Sequence, residues 1–210
     1  PSITIKDGGQ LHHSTEELVV TVEKNISGYG SGTGKYYLIA NPLGEEHFGS
    51  YPDEVGMTKG NYDLYMFNAT PTDNLEWRNY KRETFGLDAN NGSGYLYANN
   101  ANQTLTFTGL TGATTGTWAS SVVVNGDVTP FANGWRIFAN TSGCNAYVDF
   151  GTLDNEWNLT PVDCNFYKLN AAGDGFDRYK NYVEVAPGEA VFVEASASGR
   201  LHWKYEPLYE

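Results

Sequence analysis

The chain has 210 residues, with 13 Lys and Arg against 25 Asp and Glu and a formal net charge of −12. Scattered basic residues on so acidic a chain argue against nucleic acid or an anionic membrane as partner, because both require a positive stripe that releases counterions. No apolar run approaches the ~20 residues of a transmembrane helix, and the length suits one large β domain or two small ones.

Composition favours short strands joined by tight turns, with 24 Gly, 15 Tyr, 10 Phe and 5 Trp. In chain order, "SITIKDGGQL" opens in mid-strand pattern without a Met. Residues 1–16 are therefore read as an edge strand at the end of a truncated upstream region of a longer secreted protein. Alternation with period two predicts strands at Leu18–Val22, Tyr95–Tyr97, Thr104–Phe107, Val191–Val193 and Leu201–Trp203, while "NNGSG", "NGD", "AAGDG" and "APGE" carry turn chemistry. The one weak helical pattern, Pro52–Lys59, is short and contains Gly56. Strands at about ten-residue spacing predict an all-β fold, a β-sandwich of jelly-roll-like type.

The second half of the chain resembles the first. "KYYLIAN" (Lys35–Asn41) is echoed by "GWRIFAN" (Gly134–Asn140), with Ala40-Asn41 falling on Ala139-Asn140. Leu64–Ala69 falls on Phe166–Ala171, and Arg78–Lys81 resembles Arg178–Lys180 with one residue deleted. Gly92–Tyr97 then meets Gly188–Val193, and Leu105–Phe107 meets Leu201–Trp203. Matched blocks kept in order predict an internal duplication, with units at residues 17–110 and 116–206 packed as one module, because repeated units seldom bury their apolar faces alone. "ELVVTVEKNI" and "ASSVVVNGDV" are taken as the matching first strands.

The motifs "ITIKDGGQL", "YYLIANP", "YDLYMFN", "LEWRNYK", "GYLYANN", "LTFTG", "GWRIFAN…CNAYV", "FYKLNAAG" and "APGEAVFV" cover nearly the whole chain. On them the sequence resembles the duplicated C-terminal all-β modules of secreted and cell-surface, adhesin-like proteins of Bacteroidetes. The resemblance implies location outside the cell or on its surface and a noncatalytic role, and it names no ligand. Where related modules read Gly-Asn-Pro after the second aromatic strand, this chain has Ala139-Asn140-Thr141.

Catalytic chemistry finds little support. His12 and His13 are adjacent, and successive side chains of a strand point to opposite faces, while His47 and His202 stand alone. No nucleophile elbow or phosphate-binding glycine loop is present. The acidic residues keep a glycosidase reading open, since two carboxylates at the correct separation cleave sugars. Asp88 with Asn90-Asn91, and Asp174 with Asp177, admit calcium, although neither has a calcium-loop spacing and both read better as solvated turns. No other cofactor is expected. Cys144 and Cys164 each sit beside a predicted strand and read either as a disulfide or as two buried thiols.

The aromatic residues carry the functional reading. Tyr36 and Trp135, and likewise Phe107 and Trp203, occupy matched positions in apolar strands and read as core. Trp118 lies in the connection between repeats, Trp77 is flanked by Glu76 and Arg78, and Trp157 sits in "LDNEWNLT" among polar neighbours. An exposed indole leaves apolar area in water, and it stacks well on the C–H face of a sugar. Trp157, with Asp154, Asn155 and Asn158 as hydroxyl partners, together with Trp118 and Trp77, are the candidate ligand contacts. The expected function is carbohydrate binding by a secreted or surface module; the alternative is an adhesive or structural module that contacts protein partners within a large surface protein.

Overall fold

The computed structural model describes residues 3–13, 18–30, 35–43, 51–69, 73, 75–87, 93–111, 117–122, 134–153, 159–161 and 163–205, with the backbone alone at 117–122, 152–153 and 159–161. All regular structure among them is strand: β1 (Ile3–Ile5), β2 (Leu18–Ile26), β3 (Tyr37–Ala40), β4 (Tyr62–Phe67), β5 (Trp77–Asn79), β6 (Gly94–Asn99), β7 (Gln103–Thr111) and β8 (Thr117–Val122), followed by β9 (Trp135–Ala139), β10 (Ala146–Leu153), β11 (Leu159–Pro161), β12 (Cys164–Leu169), β13 (Phe176–Lys180), β14 (Tyr182–Val185), β15 (Ala190–Ala195) and β16 (Gly199–Tyr205). No helix long and apolar enough to cross a membrane occurs among the described residues.

Alternation builds each layer. In β7, Leu105 and Phe107 are buried while Thr104, Thr106 and Thr108 face solvent, as expected of a sheet with one wet face. Sheet β1-β2-β7 packs Val20, Val22, Leu105 and Phe107 against Ile39, Leu64, Tyr95 and Tyr97 of sheet β3-β6-β4-β5. A second two-layer unit follows. There Val148, Phe150, Leu201 and Trp203, from the sheet built on β10, β16 and β8, meet Phe166, Val191 and Val193 of sheet β13-β12-β15-β9. Both units have the arrangement of a β-sandwich.

The two four-stranded sheets are wired alike. β3-β6-β4-β5 and β9-β15-β12-β13 share strand order, and β2–β7 corresponds to β8–β16. Registers agree residue by residue: Ala40 faces Gly94 as Ala139 faces Ala190, Leu64 faces Tyr97 as Phe166 faces Val193, and Phe67 faces Trp77 as Leu169 faces Phe176. Tyr80-Lys81 and Tyr179-Lys180 keep step, but Arg78 corresponds to Asp177 rather than to Arg178. The first strands also differ from the sequence expectation. Trp118 pairs with Trp203 where Val22 pairs with Phe107, so β8 enters the sheet six residues earlier than the "VVV" match implied.

The buried asparagines explain the two Ala-Asn endings. Asn41 Oδ1 accepts from the Leu43 N–H at 3.1 Å, and Asn140 Oδ1 accepts from the Ser142 N–H at 3.0 Å. Each is a side-chain turn that ends a strand. Their Nδ2 groups donate to Leu87 O at 3.5 Å and to Val185 O at 2.8 Å.

Where the sequence suggested a helix, Pro52–Lys59 forms only a capped turn. Met57 N–H bonds Pro52 O at 2.8 Å and Gly56 N–H bonds Asp53 O at 3.2 Å, with Gly56 at φ 88°. This six-to-one and five-to-two pattern halts helical winding at the left-handed glycine. The turn covers the outer edge of β7, where Thr106 N–H donates to Val55 O at 3.2 Å. At the corresponding edge of β16 the second half adds β10, itself flanked by β14 and β11.

The two halves meet through the outward faces of their four-stranded sheets. Leu38, Ala40, Ala139 and Ala190 are buried there, with Leu96, Ile137, Leu169 and Phe192 packed around them. Two backbone bridges, Ile39–Glu189 and Ser93–Phe138, stitch the sheets together. Exchanging corresponding residues turns one bridge into the other, which is the signature of an internal two-fold rather than a translation. Glu189 ties the halves electrostatically, with Lys168 Nζ at 2.9 Å and Lys24 Nζ at 3.6 Å, and Lys24 also reaches Asp7 at 3.1 Å. The N-terminal segment crosses over too: Leu11 N–H donates to Gly143 O at 2.7 Å and Asn145 N–H to Gln10 Oε1 at 2.9 Å.

Candidate functional site

An aromatic groove runs along the seam between the halves. β4 and β5 bring Phe67 and Trp77 side by side, with ring centroids 5.1 Å apart and nearly edge-to-face. Across the seam Phe67 meets Phe192 of β15 at 4.9 Å, and Phe192 meets Trp135 of β9 at 4.8 Å. Trp135 then stacks on Tyr167 of β12 at 5.3 Å and 27°. These offset and edge-on geometries are those that ring quadrupoles favour. Trp77 is 37% exposed, and the other four rings are half-buried.

Strand alternation places these rings together. In "AVFVEA" Val191 and Val193 point into the core, which turns Phe192 and Glu194 outward; in "CNFYKL" Cys164 and Phe166 point in, leaving Asn165, Tyr167 and Leu169 on the same outward face. Polar groups line that face beside the rings. Glu194 Oε2 accepts from Tyr167 Oη at 2.7 Å and Asn165 Nδ2 at 2.9 Å, while Asn165 Oδ1 accepts from Arg178 Nε at 2.9 Å. Burial, together with the hydrogen bond and charge of Glu194, pushes the Tyr167 phenol up and keeps it a donor. The network fixes the amide and the guanidinium. Partly exposed rings thus stand beside fixed acceptors and donors on one outward face.

Of the residues singled out from sequence, Trp77 lies in this groove. Trp118 is not in a connection between repeats: it belongs to β8, with its backbone opposite Trp203. Trp157, Asp154, Asn155 and Asn158 lie outside the described residues. Trp203 and Phe107 are core, at 0% and 1% exposure. Trp135 and Tyr36 are not; each is half-buried, because its strand parity puts it on the outward face of its sheet. The sequence reading missed Tyr167, Phe192, Glu194, Asn165 and Arg178, although the alternation in "NFYKLN" and "AVFVEA" already places the first four on one face.

The remaining candidates do not gather. His13 and His202 are buried in different units, and His202 Nδ1 sits 3.4 Å from Asp149 Oδ1 without hydrogen-bond geometry, while Lys204 Nζ bonds Asp149 Oδ2 at 2.6 Å. His47 and the Asp88 turn lie outside the described residues. Asp174 accepts from Asn170 Nδ2 at 2.9 Å, and Asp177 lies in β13 opposite Lys168. Among the described residues no three His, Cys, Asp or Glu cluster as a metal site would require. Cys144 and Cys164 are both free and buried. No family model, curated protein or solved structure matches the chain.

Proposed function

We propose that this chain is a noncatalytic carbohydrate-binding module, secreted or displayed on a bacterial surface as part of a larger protein, with its first sugar site in the groove of Trp77, Phe192, Trp135 and Tyr167. The carrying observation is the run of partly exposed rings at the seam, set against the fixed Asn165–Glu194–Arg178 network. Leaving large rings in water is unfavourable for folding alone, and covering them with a sugar's C–H face recovers that area. On the same reading, the shared wiring and registers of the halves reflect an internal duplication, and the resemblance to surface modules of Bacteroidetes supports the location.

The test is a glycan array probed with the intact chain, repeated with Trp77→Ala and Trp135→Ala. Specific glycans should bind, and each variant should weaken binding by on the order of 1–3 kcal/mol, the range for stacking on aromatic platforms. Silence on the array together with binding to matrix proteins would favour the adhesive reading.

A further inference from the structure

We infer that the chain carries a second sugar-binding face, related to the first by the internal two-fold and built on Tyr36, Tyr65, Asp63 and Phe176. The inference rests on the carbohydrate reading of the first groove. Strand pairing sets the correspondence of Tyr167 with Tyr65, Asn165 with Asp63 and Trp77 with Phe176, and one step back from β3 matches Tyr36 to Trp135. Three of the first groove's rings have aromatic counterparts and Asp63 stands where Asn165 does, while Phe192 and Glu194 correspond to Leu96 and Ala98. Core packing does not require this. Tyr36 and Tyr65 are half-buried on the outward face, and Phe176 is 49% exposed on a strand whose five residues all face solvent.

Like the first groove, this one draws on both halves. The turn at residues 170–175 of the second half lies directly against the strand of Tyr36, whose N–H donates to Gly173 O at 3.3 Å. Gly173, at φ 71°, permits the approach, because a Cβ there would stand 2.6 Å from Lys35 Cγ. Asn170 holds the turn: its Oδ1 accepts from Gly173 N–H at 2.8 Å and its Nδ2 donates to Asp174 Oδ1 at 2.9 Å. Burial comes first in raising the Tyr36 pKa, followed by the charge of Asp63 and the Tyr65 and Tyr29 phenols. Asp63 is held only loosely, by Lys81 at 3.7 Å, which leaves it able to accept from sugar hydroxyls. Tyr65 also meets Trp77 edge-on at 6.5 Å, so the two faces adjoin.

Two adjoining aromatic faces on one chain suit a polysaccharide of repeating neutral pyranoses. Binding the second face to the same polymer becomes intramolecular, and apparent affinity should exceed that for a short oligomer by on the order of a hundredfold. The test is calorimetry of the intact chain with cello-, xylo-, manno- and laminarihexaose, paired with electrophoresis through gels holding the corresponding polymers. Two hexasaccharides per chain are expected. Phe176→Ala or Asp63→Ala should reduce that to one and cut polymer retention at least tenfold, with an unchanged thermal midpoint; Trp77→Ala should do the same through the first groove. One hexasaccharide per chain, bound equally by Phe176→Ala and Asp63→Ala, would overturn the second face and leave the first groove standing. A single hexasaccharide lost in both Phe176→Ala and Trp77→Ala would also overturn it, as one ligand spanning a continuous surface. Failure of every glycan to bind would overturn both faces together.

Discussion

Gly94 and Ala190 occupy the same position in the two four-stranded sheets and meet at the seam: a Cβ on Gly94 would stand 2.4 Å from the Ala190 Cβ and 2.3 Å from Ile137 Cγ2. Their closeness sets how near the sheets approach. Gly94 is needed here for lack of bulk rather than for an unusual backbone angle.

Gly94→Ala should therefore destabilise the fold by ~1–3 kcal/mol through overpacking. Adding Ala190→Gly should recover part of the loss, although the Ile137 contact remains. Denaturant unfolding of both single variants and the double variant reads the coupling, and strictly additive effects would mean that the two sites do not touch.

Asn140 should be the more costly of the two strand-ending asparagines. Besides Ser142 N–H and Val185 O, it serves Cys144 O at 2.7 Å, whereas Asn41 reaches its carbonyl at only 3.5 Å. Leaving buried polar groups unmatched costs about 1–3 kcal/mol. Asn140→Ala should lie at the upper end and Asn41→Ala at the lower; equal unfolding midpoints would contradict the geometry.

Acid should loosen the seam. Burial alone would raise the Glu189 carboxyl, but Lys168 and Lys24 together outweigh it and hold it below the ordinary glutamate range. A carboxyl with a lower pKa folded than unfolded binds fewer protons in the native state. Its stabilisation is then fully present above the unfolded glutamate value and is lost as the pH falls through the folded one. Unfolding free energy measured from pH 7 downward should decline more steeply for the native chain than for Glu189→Gln. Parallel curves would remove Glu189 from the account.

The two cysteines should be inert in the folded chain. Burial, followed by the charge of Glu194, pushes the Cys164 thiol up to about 12, and the thiolate is the reactive form. Iodoacetamide at pH 8 should add nothing to the native protein and two labels after unfolding, as read by mass spectrometry. One label in the native state, or none after unfolding, would contradict this.

Much of the architecture could be read from the order of residues. The Ala40-Asn41 and Ala139-Asn140 endings, the Leu64 and Phe166 blocks and the Leu105 and Leu201 blocks hold corresponding places because register must be kept wherever one face of a strand is buried. β8 was harder, since "TWASSV" lacks alternation. The groove was the least legible part. Its rings come from five strands in two halves, and an outward Phe192 between inward Val191 and Val193 looks like one apolar run. Trp135 likewise reads as core until the packing of the second sheet shows that its face is the seam.

The crossing of the N-terminal segment has a consequence for how the chain is made. Gln10 finds its partner 135 residues later, at Asn145. A ribosome adding 5–20 residues per second leaves Gln10 without that partner for roughly ten seconds, long after β2 has emerged. β1 can pair with β2 early, with Lys6 and Asp7 beyond it reaching Glu23 and Lys24, but Gln10 Oε1 and Leu11 N–H wait until the loop before β10 exists. The contacts of Gln10 and Leu11 with the second half are thus among the last to form, and their completion reports that the second half has folded.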